Sequence, residues 1–235
     1  MILVICLVIA NYVANFIVPA NSTAENITSN AFELHFLSLS KSQVENESIA
    51  HASDFRSIGA GGVVWEKDGY FYVVSSAYAN KNDALLVQSN LKQVQNIDSE
   101  IISYKFKSIT INGSFSAEER KTLSKALSAS QIYYNSIYDI AISLDTGVYN
   151  EISAKLAVNT AHNTLATTYA DFSTLYGEPI EEPLKRISNL LNDITKSSQN
   201  LCTGQKISEG QTYSSLLKYR YLEVLKIYNE FLSQF

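Results

Sequence analysis

Residues able to act as acids, bases or metal ligands are spread thinly along this chain. His35, His51 and His162 fall on three separate predicted elements, and no two have metal-ligand spacing. Glu181 and Glu182 form a carboxylate pair, but at that position they complement the positive end of a helix beginning near Pro183. Asp139, Asp145 and Asp171 read as solvated helix charges. There is no Gly-x-Ser-x-Gly elbow and no phosphate loop. The glycine-rich run at 59–62 leads into a strand instead of a helix, which excludes a dinucleotide fingerprint. Nothing in the pattern calls for catalysis, a metal or a cofactor. The side chains that could do chemistry are aromatic: Trp65, the single tryptophan, with Tyr70, Phe71 and Tyr72, all inside GGVVWEKDGYFYVVSSAY at 61–78. Their chemistry is binding, through a large apolar face with a polar tip.

An Asp-Gly pair between two apolar runs is a two-residue hairpin turn, because both turn positions need positive φ. With Asp68-Gly69 as that turn, Lys67 faces Tyr70, Glu66 faces Phe71, Trp65 faces Tyr72 and Val64 faces Val73. Facing residues share a side of the sheet and sides alternate along a strand. Trp65, Tyr72, Val63 and Val74 therefore share one face, and Val64, Phe71 and Val73 the other. Val64, Phe71 and Val73 are the more uniformly apolar set and the expected core. Trp65 and Tyr72 are then left on an open face, joined by His35 if Leu34 and Phe36 point to the core. The alternative is that these aromatics pack beneath helices further along the chain.

The elements that position the hairpin follow from periodicity. Residues 32–39 suit a strand, and residues 42–57 carry sparse helical spacing through Val44, Ile49, Ala52 and Phe55. A helix centred on 82–94 opens with Asn80 as N-cap, and 101–106 is a fourth strand. The order is βαββαβ, a sheet with helices on one face. After residues 111–114 the pattern becomes purely helical. Ser116 and Glu119 form a capping box, and four apolar stripes follow, interrupted at Gly147, Gly177 and the loop between Gly204 and Gly210. Four amphipathic helices with short links predict an antiparallel bundle.

Composition limits the partners. The formal charge of −5 and the lack of a basic stripe argue against nucleic acid. Residues 2–18 contain no charge and end at Pro19, a length that suits a membrane-spanning helix. A cleaved signal peptide ending in Val-Pro-Ala at 18–20, or a buried globular segment, are the alternatives. Cys6 lies in that segment and Cys202 is alone, so no disulfide framework is expected. The expected organisation is an anchor over 1–19, a polar linker over 20–31, the sheet domain over 32–110 and a four-helix bundle over 113–235, with an α+β class for the whole.

Residues 32–106 resemble a SPOR (sporulation-related repeat) domain. The features are the opening strand FELHFLSLS, Gly62 before the hairpin, the step Ser75-Ser76-Ala77-Tyr78 closing the third strand, and Asn82-Asp83-Ala84 opening the second helix. The resemblance implies a ferredoxin- or RNP-like βαββαβ fold that binds peptidoglycan glycan strands without catalysis. It places the glycan on the sheet face that the helices leave open. On that reading Trp65 and Tyr72 stack on sugar rings, His35 adds a hydrogen bond, and Val63 and Val74 flank them. The whole would be a membrane-anchored, extracytoplasmic envelope protein of cell division or sporulation, with a protein partner at the bundle. A second reading is an envelope scaffold or adaptor whose sheet and bundle hold protein partners. A third is an enzyme with a site between the two regions.

Overall fold

The computed structural model describes residues 26–178 and 181–235. The described residues form strands β1 (Ile27–Ser29), β2 (Phe32–Ser42), β3 (Val63–Lys67), β4 (Tyr70–Tyr78), β5 (Glu100–Phe106) and β6 (Ile109–Ile111). Among them are six α-helices: α1 (Glu45–Ser57), α2 (Lys81–Asn90), α3 (Ala117–Asp145), α4 (Glu151–Tyr176), α5 (Leu184–Cys202) and α6 (Tyr213–Ser233).

Local chemistry sets the hairpin. Asp68 and Gly69 take φ of 51° and 76°, the double positive φ of a two-residue turn. That turn pairs Trp65 with Tyr72 and Val64 with Val73. β4 then lies antiparallel to β2, and β2 to β5, so the sheet runs β3-β4-β2-β5. Strand β2 continues to Ser42, beyond the expected end at 39, because β4 still offers it Phe71 as a partner. An irregularity between Leu37 and Ser40 bends it there. Helices α1 and α2 both lie against one face, and Asn80 caps α2 through its side chain.

Residues 27–29, expected within the polar linker, pair with 109–111 as a two-stranded ribbon. The ribbon prolongs the β2–β5 ladder, and Ile27, Ile109 and Ile111 are buried. Isolated Ile in a Ser/Thr/Asn-rich stretch gives little periodic signal. The partner strand lies more than eighty residues away, and it supplies the reason for burial.

Helices α3 to α6 pack on one another, α3 against α4 and α6, and α5 against α4 and α6. Ser116 and Glu119 form the capping box at the start of α3, and Asn150 and Thr212 cap α4 and α6. Helix α6 has a broad apolar face, burying Leu216, Leu217, Tyr221, Leu222, Val224, Leu225, Tyr228 and Phe231. It lies between α3, α5 and the sheet.

The expected class requires correction. It contained a membrane-spanning helix, but among the described residues no helix is long and apolar enough to cross a membrane. Residues 2–18, which carried that expectation, lie outside the described residues, as does Cys6. What the described residues form is an α+β body of six α-helices and two small sheets.

A second correction concerns the sheet faces. One continuous apolar cluster contains Leu34, Phe36, Trp65, Tyr72, Ile102 and Phe106 from the sheet, and Leu123, Tyr134, Leu222 and Tyr228 from the bundle. Val64 and Phe71, the expected core, are only half-buried, although Val73 beside them is fully enclosed. The reason is the thickness of the two layers. Helices α1 and α2 together bury only Ser48, Ala52 and Ala84, whereas α3 and α6 bring large side chains to the opposite face.

At Gly61 the chain entering β3 passes close to α6. A Cβ there would lie 2.8 Å from the Ser75 carbonyl oxygen, 2.9 Å from Leu222 Cδ1 and 3.0 Å from the Lys218 carbonyl carbon. Two of these atoms are backbone, so α6 would have to move. Gly61→Ala is expected to cost about 1–3 kcal/mol, the usual range for overpacking. At roughly 2–4 °C per kcal/mol for a chain of this size, thermal melting should fall by about 5 °C. An unchanged melting curve would show that α6 is not seated against this glycine.

Candidate functional site

The hairpin brings Trp65, Tyr72, Val63 and Val74 to one face, as its turn requires. That face is not open. Trp65 is 4% exposed, Tyr72 6%, Val63 8% and Val74 0%. Trp65 meets Phe36 edge-on with ring centres 4.7 Å apart, Tyr104 at 5.1 Å and Phe106 at 6.3 Å. Such contacts each add a fraction of a kcal/mol to about 1.5 kcal/mol beyond burial alone. Four enclosed side chains of this kind present no platform on which a sugar ring could stack.

His35 belongs to the other face. Leu34 and Phe36 point to the bundle, so alternation turns His35 away from Trp65, beside its β5 partner Ser103. Its Nδ1 lies 3.0 Å from Ser103 Oγ. The expected group of His35 with Trp65 and Tyr72 is therefore split across the sheet. Leu34 and Phe36 do point to a core, but it is the same core that takes Trp65.

The remaining titratable groups are likewise dispersed. His51 is exposed on α1, and His162 on α4 bonds Ser198 Oγ through Nδ1 at 2.9 Å. Among the described residues no three His, Cys, Asp or Glu side chains gather closely enough to hold a metal ion. Cys202 is free, and partial burial raises its thiol pKa, which lowers the thiolate fraction at neutral pH. Burial also raises the hydroxyl pKa of Tyr134 and of Tyr228. Tyr228 stays protonated in its contacts with Ser29 Oγ at 3.2 Å and Gln131 Nε2 at 3.1 Å.

A cleft of about 240 Å³ borders β3. Its apolar lining is Val64, Trp65, Phe71 and Tyr104; its polar lining is Glu45, Glu66, Lys226, Asn229 and Glu230. The lining is drawn from three layers. Glu45 begins α1, the three polar residues at 226–230 belong to the last turns of α6, and Tyr104 reaches across from β5, stacked on Phe36 at 5.5 Å. The cleft is smaller than the roughly 300–1,000 Å³ of ordinary small-molecule sites. It has room for one or two side chains, not for a polymer of sugar rings. Glu45, Glu66 and Glu230 are exposed and give it an acidic rim.

No family model matches this chain. No curated protein and no solved structure matches it significantly either. The functional reading therefore rests on the geometry of its own residues.

Of the cleft, sequence reasoning picked out Trp65 alone as a binding residue. Tyr104 could have been found, since it alternates with Ile102 and Phe106 along β5 and must share their face. Lys226, Asn229 and Glu230 carry no signal in the sequence. They read as the solvated side of an amphipathic helix, and only the docking of α6 beside β3 makes them part of a site.

Proposed function

We propose that this chain is a non-enzymatic scaffold or adaptor that holds protein partners. The observation supporting this reading is the enclosure of Trp65 and Tyr72 by the chain's own helices. A glycan surface needs those rings in solvent, and here they contribute to the core. The limited volume of the β3 cleft supports the same reading. Some large apolar side chains remain outside on helices: Leu86 on α2 is 64% exposed, and Ile152 and Leu156, one turn apart at the start of α4, are 79% and 69% exposed. Grouped exposed apolar side chains mark interaction surfaces more often than single ones do. Placement at the cell envelope rests on the SPOR resemblance of residues 32–106.

Sedimentation of the full chain with purified peptidoglycan sacculi, intact and stripped of stem peptides by amidase, tests the reading. The expected result is no retention above that of an unrelated acidic protein on either preparation. Saturable retention that grows on stripped sacculi would overturn it in favour of glycan binding.

A further inference from the structure

Strand β3 ends the sheet, and its ladder to β4 uses only one of its two edges. Among the described residues no other backbone hydrogen bond reaches residues 63–67. An unpaired edge is a row of donors and acceptors ready for another strand. The cleft lies along this edge. Val64, Trp65 and Glu66, three consecutive residues whose side chains alternate between faces, all line it. Glu45 borders it from the α1 layer, and Lys226, Asn229 and Glu230 border it from α6. The opening is therefore beside the strand, between the two helical layers, and not over one face of the sheet.

We infer that this edge accepts an extended, Lys- or Arg-bearing segment of a protein partner as a fifth strand of the sheet. The inference rests on the adaptor reading and gives that partner a chemistry. Main-chain pairing with β3 supplies the docking, as in other cases of strand addition. The five residues of β3 limit the paired stretch to roughly 17 Å at about 3.4 Å per residue. An apolar side chain of the partner fills the cleft against Val64 and Phe71, beside Trp65. Charge decides the remaining side chains. Glu45, Glu66 and Glu230 surround the cleft against the single ammonium of Lys226. None of these three carboxylates is in an ion pair among the described residues. An acidic segment would be repelled there, and a basic one attracted.

The test uses the full chain and three synthetic peptides: acetyl-TKVKVKVT-amide, its glutamate counterpart acetyl-TEVEVEVT-amide, and acetyl-TKVPVKVT-amide, whose proline removes a main-chain donor. Trp65, the single tryptophan, reports occupancy of the cleft by its fluorescence. The lysine peptide is expected to change that signal saturably and to slow hydrogen exchange at the outward-facing amides of Val64 and Glu66. The glutamate and proline peptides are expected to bind at least about tenfold more weakly. Combined Glu45→Gln, Glu66→Gln and Glu230→Gln replacement is expected to weaken the lysine peptide about tenfold with an unchanged melting curve, since all three side chains are exposed. Equal binding of the glutamate peptide, equal binding by the triple variant, or binding without protection of the β3 amides would each overturn the inference. So would the absence of saturable binding up to about 1 mM, the weak limit of specific recognition. The two readings fail separately. Sacculus retention sinks the adaptor whatever the peptides do, and peptide failure without sacculus retention sinks strand addition alone.

Discussion

Trp65→Ala is expected to be among the most damaging single substitutions in this protein, costing about 3–5 kcal/mol, the range for removing a buried Trp or Phe. The ring is enclosed by Phe36, Tyr104 and Phe106 from two other strands, and the bundle closes over that face. Alanine would leave a void that none of these rings can fill without abandoning its own neighbours. Melting should fall by about 10 °C for a chain of this length. Phe71→Ala, at a half-buried position on the opposite face, should cost clearly less, about 1–2 kcal/mol, in proportion to the smaller area it removes from solvent protection. The comparison uses two thermal melts under one buffer. If Trp65→Ala melts close to wild type while Phe71→Ala does not, the bundle does not cover the Trp65 face, and the adaptor reading loses its support.

Separating the helical region should have a larger effect still. Residues 113–235 alone are expected to lose cooperative melting and to bind apolar dyes. In the whole chain α3 and α6 have sheet neighbours. Tyr134 and Tyr228 lie 5.9 Å and 6.2 Å from the Phe32 ring, and Tyr78 meets Tyr138 at 6.3 Å. Leu222 approaches Gly61, and Ser215 Oγ donates to the Ala60 carbonyl at 2.6 Å. Cutting the chain after the ribbon would put all of these groups in water together. Helical propensity cannot compensate, because most helix stability in proteins comes from burying the apolar face. Calorimetry of the fragment and of the full chain makes the comparison. A sharp transition in the fragment, with enthalpy in proportion to its length, would show that the bundle holds a core of its own.

Much of the local structure is written in short stretches of the sequence. Asp68-Gly69 dictates the turn, and the turn dictates that Trp65 faces Tyr72. Ser116 with Glu119, and Asn80 before α2, fix helix starts through bonds that span three residues or fewer. Alternation along β3 and β4 likewise sorts Trp65, Tyr72, Val63 and Val74 from Val64, Phe71 and Val73. These outcomes depend on neighbours a few residues away, so they are legible before any fold is known. Which of the two faces becomes core is not of that kind. Both are apolar enough to be buried, and the choice was made by α3 and α6, which begin some fifty and one hundred and fifty residues after Trp65. The same holds for Ile27, buried by a strand at 109–111, and for the cleft, whose acidic rim comes from α1, β3 and α6. Turns and caps are decided by hydrogen bonds within one stretch of chain, whereas burial is decided by whichever distant surface arrives to exclude the water.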